Sequence, residues 1–132
     1  MAKKTKTEKK FDFKKLKSFE AFCKAENIDP IQLPGVDNLP EKFRKPLIAA
    51  YKIMVGVSAV NEGKKVNFTN DEPKYFPWAR VNSSGSGFDF SLSSYDYVRR
   101  LTSNGSRLCS HTPEQTKHVF NVLNDEYKDW LI

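Results

Sequence analysis

Two cysteines and two histidines are the residues of this chain best suited to nucleophilic or metal chemistry. Cys109 and His111 are two residues apart, so on a strand their side chains share a face. Such a pair could act as nucleophile and base, or form half of a zinc site with Cys23 and His118. Neither spacing matches a closed metal motif. Because free cysteines are commonly small core residues, we interpret Cys109 as a buried strand residue and His111 as part of a loop, and we expect no catalytic residue, metal or cofactor.

A glycine-serine stretch, Gly85-Ser86-Gly87, is a second candidate because such loops can cradle phosphates. A phosphate-binding loop needs a following helix N-terminus and a lysine at a defined spacing. A strand pattern follows this stretch, so we interpret it as a hairpin turn. The acidic pairs Asp71-Glu72 and Asp125-Glu126 lack the spacing of a calcium loop or a catalytic carboxylate pair. We expect them on solvated faces.

Aromatic residues alternate with arginines in the strand-like part of the chain. Alternation places them in two groups, one per strand: Phe76, Trp78 and Arg80, and Tyr95, Tyr97 and Arg99. Such residues can stack bases or sugars, or they can form cross-strand pairs beneath helices. Packing is favoured because a chain of this size needs its large side chains inside. For Arg107, a clamp on turn carbonyls is favoured over a ligand contact. If one sheet face is open, the expected binding residues are Tyr75, Trp78, Arg80, Tyr95, Tyr97, Arg99 and Arg107.

The net charge of +6 is confined to the N-terminal segment. Residues 1–17 hold eight lysines and two acids, whereas residues 18–132 hold 14 basic and 14 acidic residues. The charge therefore describes a cationic arm and not a basic groove on the folded part. The arm could be a mobile solubilising terminus, a phosphate-binding segment or a docking segment for an acidic protein. Its candidate contact residues are Lys3, Lys4, Lys6, Lys9, Lys10, Lys14, Lys15 and Lys17.

The composition is typical of a soluble globular protein of one domain. The chain has 132 residues, of which 39% are apolar and 29% charged. No stretch approaches the roughly 18 apolar residues of a membrane span. The lysine-rich N-terminus is not followed by an apolar run, so we predict no secretory signal and no membrane partner. Two cysteines without such a signal indicate reduced thiols in a cytoplasm-like compartment.

Two helices are predicted in the first half of the chain. Ser18 is a candidate N-cap for a short helix that ends near Asn27. A long helix begins near Pro40, with a kink or a fresh start at Pro46, and stops at Gly63. Its second half is apolar on nearly every face, which is typical of a buried central helix.

Short strands and a final helix are predicted in the second half. Alternation and turn signals predict strands at residues 74–81, 88–92, 95–101 and 107–109. Thr112 and Gln115 form a capping box at the start of a helix that runs to about Trp130. We therefore expect an α+β fold: a small antiparallel sheet of three to four strands, with two long helices and a short N-terminal helix packed on one face. Residues 1–17 are expected to be a disordered basic arm, and residues 18–132 a single α+β domain.

Several stretches of the chain form a recognisable set when they are taken together. They are Leu39-Pro40-Glu41-Lys42-Phe43-Arg44-Lys45-Pro46, Ala50-Tyr51-Lys52, Asn61-Glu62-Gly63, Lys74-Tyr75-Phe76-Pro77-Trp78, Gly87-Phe88, Gly105-Ser106-Arg107-Leu108-Cys109 and the aromatic last helix. This set resembles a family of small proteins, with no assigned activity, from Bacteroidetes and their bacteriophages. The order of the stretches over residues 18–132 matches the family. The chain departs from it after Gly63, where relatives carry tryptophans and a Pro-Asp pair. The resemblance implies a phage or prophage product that acts in the bacterial host cytoplasm or is packed in a virion.

These observations favour a non-enzymatic phage accessory or binding protein. Its lysine-rich arm would contact DNA, RNA or an acidic protein partner. One alternative is a virion structural component whose arm faces packaged DNA or a neighbouring subunit. A second is a small enzyme that uses Cys109 and His111. A third is a small-ligand-binding protein that counters host defence through the turn at residues 85–87 and Arg107.

Overall fold

The computed structural model of the chain describes residues 11–84, 87–100 and 105–132. The fold is α+β, as predicted, and the described residues form four α-helices and one two-stranded antiparallel sheet. The elements are α1 (Phe19–Ala25), α2 (Glu41–Val60), β1 (Lys74–Ser84), β2 (Gly87–Val98), α3 (Pro113–Val122) and α4 (Asn124–Leu131). Two short 3-10 helices, Phe13–Lys15 and Ser106–Leu108, lie before α1 and α3. Residues 1–10 of the predicted arm lie outside the described residues.

Helix α1 begins and ends on local signals. The Ser18 hydroxyl accepts a hydrogen bond from the Ala21 N–H at 3.1 Å, which confirms the predicted N-cap. At the other end Asn27 has a left-handed backbone, with φ of 56°. The Ile28 N–H then reaches back to the Cys23 carbonyl at 2.8 Å, as in a Schellman motif. Asparagine tolerates this conformation better than most residues, so the helix stops where the sequence permits it.

Helix α2 runs through Pro46 without a break, so the predicted fresh start does not occur. Pro46 is the sixth residue of the helix, and it has no N–H to donate to the carbonyl four residues before it. The helix ends in a second Schellman motif, in which the Gly63 N–H donates to the Ser58 carbonyl at 2.8 Å. The left-handed turn starts at Glu62, with φ of 55°, one residue before the predicted stop at Gly63.

The predicted last helix is divided into α3 and α4 at Leu123. Its start is confirmed, since Thr112 and Gln115 form the predicted capping box. Leu123 departs from helical geometry, with φ of −106° and ψ of 37°. Its N–H still bonds to the Val119 carbonyl, and its own carbonyl accepts from the Tyr127 N–H. The two hydrogen bonds of Leu123 itself are therefore kept where the chain bends, and both Leu123 and Tyr127 are buried.

The sheet has fewer and longer strands than predicted. Trp78 pairs with Ser94 and Ala79 pairs with Leu92, so Ser93 is an extra residue in a bulge. This bulge lets the predicted strands at 88–92 and 95–101 join into β2. The predicted strand at 107–109 is replaced by the 3-10 helix Ser106–Leu108 and a single bridge between Tyr75 and Ser110. The prediction of three to four strands is therefore not confirmed.

The main core is formed around α2, which contacts α1, α3 and α4. Its fully buried side chains include Phe22, Cys23, Ile53, Val60, Val119, Phe120 and Leu123. Helix α3 also contacts β1 and β2, so it links the helices to the sheet. A smaller cluster of Val66, Phe76 and Cys109 lies where the loop after α2 meets the sheet. The predicted packing of every helix on one sheet face is not confirmed, because α1 and α2 pack chiefly on other helices.

Candidate functional site

The segment from Cys109 to Thr112 is a junction between α2 and α3. Asn61, at the end of α2, donates through Nδ2 to the Cys109 carbonyl at 3.0 Å. Its Oδ1 accepts from the His111 N–H at 3.4 Å. Gln115 Oε1 also accepts from the His111 N–H, at 3.0 Å, while Gln115 Nε2 donates to the Val60 carbonyl at 2.8 Å. The two amide side chains therefore tie the ends of two helices together.

The chemistry of Cys109 follows from its burial in this junction. Its side chain is fully buried, and burial raises the pKa of the thiol to about 11, although Lys74 nearby opposes this shift. At neutral pH the group is therefore a protonated thiol, which is a poor nucleophile. His111 Nε2 lies 3.0 Å from the Lys64 carbonyl oxygen. This geometry supports the interpretation of Cys109 as a core residue.

The other members of the candidate zinc set lie elsewhere. Cys23 is buried in the main core, where burial raises the pKa of its thiol. His118 Nε2 is 2.7 Å from the Leu16 carbonyl oxygen, and its ring packs against Phe13 and Phe22. Across the part of the chain that the structure describes, no three His, Cys, Asp or Glu residues are grouped so that they could hold a metal ion.

The strand register divides the predicted aromatic binding face. Residues directly opposite each other share a face, and neighbours along a strand lie on opposite faces. Tyr75 pairs with Tyr97, so these two share one face, and Trp78 lies on the other. Arg80 pairs with Ser91 and Tyr95 pairs with Pro77 in the backbone ladder, but the side chains of Arg80 and Tyr95 lie outside the described ones.

Each face of the sheet carries an exposed aromatic side chain that has a polar or charged partner. Trp78 is 53% exposed, and its Nε1–H donates to Asp96 Oδ2 at 3.3 Å. On the opposite face, Tyr97 is 50% exposed, and its ring lies 5.9 Å from the ring of Tyr75. The Arg99 guanidinium is 5.7 Å from the Tyr97 ring and also donates to the Asp71 carbonyl. Among the side chains that the structure describes, the candidate binding residues are therefore divided between the two faces, with Tyr75 and Tyr97 on one and Trp78 on the other.

A buried lysine beside these patches was not expected from the sequence. Lys74 is only 2% exposed. Its Nζ donates to the Asn70 carbonyl and Oδ1 and to the Arg99 carbonyl, at distances of 2.7–2.9 Å. These three acceptors satisfy the ammonium group, so Lys74 fixes the loop after α2 to the end of β2.

The described end of the basic arm is anchored to the core. Phe13 and Leu16 pack against the main core, and the Asp12 side chain caps the 3-10 helix by accepting from the Lys14 N–H at 3.0 Å. Lys15 and Lys17, like Lys14, are exposed. No ion pair between described residues involves any of the three. Three of the eight candidate lysines are therefore held at the surface, and the other five lie outside the described residues.

Arg107 lies apart from the aromatic residues with which it was grouped, at a cavity beside α2. The cavity has a volume of about 340 Å³. Its apolar lining comes from Ile28 after α1 and from Tyr51, Met54 and Val55 of α2. Two cations also line the cavity: Lys65, from the loop after α2, and Arg107, from the 3-10 helix Ser106–Leu108.

The cavity also holds a carboxylate. Glu26, at the end of α1, accepts a hydrogen bond from the Ser58 hydroxyl at 2.9 Å. Neither Arg107 nor Lys65 forms a hydrogen bond or ion pair with another described residue. The expected clamp of Arg107 on turn carbonyls stays a prediction, because Asn104 of that turn lies outside the described residues. Sequence reasoning missed Glu26 and Lys65. The sequence pattern that could have indicated the cavity is the spacing of Tyr51, Met54 and Ser58, which places them on one face of α2. Along this face the side chains go from apolar to polar.

Comparison of the chain with protein-family models, with curated proteins and with solved structures found no match. Among the described residues, no helix combines the length and the apolar character needed to cross a membrane. The function is therefore inferred from the charges and the geometry of the chain itself.

Proposed function

We propose that the protein is a non-catalytic accessory protein of phage or prophage origin whose lysine-rich N-terminal segment binds nucleic acid. The observation that supports this proposal is the segregation of charge. The first 17 residues carry the whole net charge of +6, and the remaining 115 residues sum to zero. Lysine ammonium groups attract phosphates without sequence preference, so the binding would be non-specific.

The anchored end of the segment fits this role. Phe13 and Leu16 hold the backbone against the core, while Lys14, Lys15 and Lys17 stay exposed between and beside them. Cations whose backbone is already ordered lose less conformational entropy when they meet a phosphate. The segment would therefore bring the neutral body to DNA or RNA, in the host cytoplasm or in a virion.

Fluorescence anisotropy with labelled single- and double-stranded DNA and RNA tests the proposal. A full-length variant with all eight arm lysines changed to glutamine keeps Phe13 and Leu16, and so keeps the packing of the segment. If the arm contacts about five phosphates, log affinity against log salt should have a slope near −3.5 for single strands and −4.5 for duplexes. The variant should lose this binding.

A smaller control changes three exposed lysines outside the arm, Lys45, Lys64 and Lys128, to glutamine. It should bind like the parent. Equal binding by the parent and the arm variant would contradict the proposal and would move the site to the body. Binding of an acidic protein, but not of nucleic acid, by the parent alone would assign the arm to a protein partner instead.

A second candidate, a virion structural subunit, is favoured by exposed apolar side chains. Phe43 and Leu47 are exposed near the start of α2, and Trp130 and Leu131 are exposed at the end of α4. These two ends are adjacent, since Lys45 forms an ion pair of 3.4 Å with Asp129. Light scattering at micromolar concentrations should then show oligomers, and Leu47→Lys should dissociate them. A monomer at about 100 µM, far above the Kd of a stable interface, would exclude this candidate.

A further inference from the structure

The cavity beside α2 has an apolar end and a polar end. Tyr51 and Met54 lie toward the start of the cavity, and Ser58 lies one to two turns further along the same helix. Seven residues of α-helix separate Tyr51 from Ser58, which corresponds to about 10 Å along the axis. Ile28 and Val55 extend the apolar lining. A ligand that fills this space must therefore be apolar over most of its length and polar at one end.

The cavity carries both signs of charge, and among the described residues these charges do not form an ion pair with each other. Glu26 is oriented by its hydrogen bond from Ser58, and its second carboxylate oxygen accepts no hydrogen bond from the described residues. Arg107 and Lys65 line the same cavity. None of the ion pairs between described residues joins Glu26 to either cation. Opposite charges are thus held apart, in a cavity whose lining is mostly apolar.

We infer that this cavity binds a free α-amino acid with a large apolar side chain. The ammonium group of such a ligand donates to Glu26, and its carboxylate accepts from Arg107 and Lys65. A guanidinium matches a carboxylate with two parallel hydrogen bonds, which a single ammonium cannot do. The side chain of the ligand lies against Ile28, Tyr51 and Met54. This site goes beyond the proposed nucleic-acid function and does not depend on it.

A cation or an anion alone would fit the cavity less well. A simple anion would leave Glu26 unpaired beside it, and a simple cation would face Arg107 and Lys65. An apolar molecule without charges would give Glu26, Arg107 and Lys65 no partner. A ligand that is zwitterionic at one end and apolar at the other gives a partner to Glu26, to the two cations and to the apolar lining at once.

Isothermal titration calorimetry of the full chain with L-tryptophan, L-phenylalanine and L-leucine tests the inference. For ligands of this size we expect at least one to bind with a Kd between about 10 µM and 1 mM. Three analogues each lack one recognised feature. Glycine lacks the apolar part, tryptamine lacks the carboxylate, and indole-3-propionate lacks the ammonium group. Each should bind about tenfold more weakly than L-tryptophan, or not measurably.

Variants test the two charged contacts separately. Glu26→Gln and Arg107→Gln should each weaken the binding of the best amino acid by about tenfold, because each removes a charged hydrogen bond. Arg100→Gln is the matched control, since Arg100 is an exposed arginine that pairs with Asp71 away from the cavity. It should leave the Kd unchanged.

Three results would overturn the inference. The first is no binding heat from any of the three amino acids at 5 mM, about five times the weakest expected Kd. The second is equal binding of L-tryptophan, tryptamine and indole-3-propionate, which would show that the charges are not recognised. The third is a Kd unchanged in both Glu26→Gln and Arg107→Gln. The analogue comparison uses the unaltered protein, so it does not depend on how the variants fold.

Discussion

Replacing Gly56 in the middle of α2 by alanine should destabilise the protein, even though alanine is the better helix former. A Cβ at this position would lie 2.8 Å from Leu123 Cδ1, 3.2 Å from Val119 Cγ1 and 3.3 Å from Phe22 Cδ2. Unstrained carbon contacts lie at about 3.5–4.0 Å. The three neighbours are fully buried; Phe22 comes from α1, and Val119 and Leu123 come from the end of α3. They must therefore move together to admit one methyl group.

The size of the effect is the difference between two opposing contributions. Glycine in a helix interior costs about 0.5–1 kcal/mol relative to alanine, so the substitution gains this amount. Forcing an extra carbon into a well-packed core costs about 1–3 kcal/mol. The tightest contact, to Leu123, ends on a flexible side chain, but this side chain is buried in the main core. We therefore expect Gly56→Ala to lower the free energy of unfolding by about 1 kcal/mol.

Urea denaturation measures this change as a lower midpoint at an unchanged m-value. Gly35→Ala is the matched control, because a Cβ on Gly35 meets nothing within 4 Å. It should leave stability unchanged or raise it slightly. Combining Gly56→Ala with Val119→Ala should give a favourable coupling of at least about 0.5 kcal/mol, since the second change removes one clash. A more stable Gly56→Ala protein would show that the three side chains can move aside freely, and it would refute the reasoning.

Three further predictions concern the junction and the end of α2. Asn61→Ala should lower the free energy of unfolding in urea by about 1–3 kcal/mol, because the buried Cys109 carbonyl loses its donor; an unchanged midpoint would contradict the assigned role. Glu62→Gly should raise the free energy of unfolding by about 1 kcal/mol, since glycine adopts the left-handed φ of 55° without strain. A loss of stability would contradict this explanation. Below pH 9, Cys109 is protonated in both states, but between pH 9 and about 11 only the unfolded state releases the proton. The free energy of unfolding should therefore fall as the pH rises through this window, and Cys109→Ala should make this fall shallower. Urea titrations of both proteins at several pH values measure the fall, and equal slopes for the two proteins would contradict the prediction.

Features encoded within a few neighbouring residues could be predicted from the sequence. The caps at Ser18 and Thr112 are examples, since donor and acceptor lie three residues apart. The apolar second half of α2 likewise indicated a central helix, and α2 does contact the other three helices. In each case the sequence pattern and the contact lie on one element, so no distant partner had to be known.

Features that depend on a partner could not be predicted in this way. The bulge at Ser93 exists only in relation to the register with β1, so the sequence of β2 alone suggested two strands. The bend at Leu123 accompanies its close approach to Gly56, far away in the chain. Periodicity along α3 and α4 continues through this bend and therefore predicted a single helix.

The candidate site was identified only in part for the same reason. From the sequence, Arg107 was considered as a possible ligand contact, but it was assigned to a binding face formed by aromatic residues of the sheet. The structure places it with Glu26 and Lys65 at a cavity instead. Glu26 is distant from Arg107 in the sequence, and its position depends on how α1 packs against α2. No local pattern indicates such a meeting.

The central position of α2 has a consequence for synthesis on the ribosome. This helix is apolar on most of its surface, and part of its cover comes from α3 and α4 at the far end of the chain. Roughly 70 residues are made between the end of α2 and the end of α4, which takes about 4–14 s at ordinary elongation rates. During that time α2, the most apolar segment of the chain, lacks the surfaces of α3 and α4 that cover it in the folded protein. Chaperones that bind exposed apolar segments would meet this chain before its fold is complete.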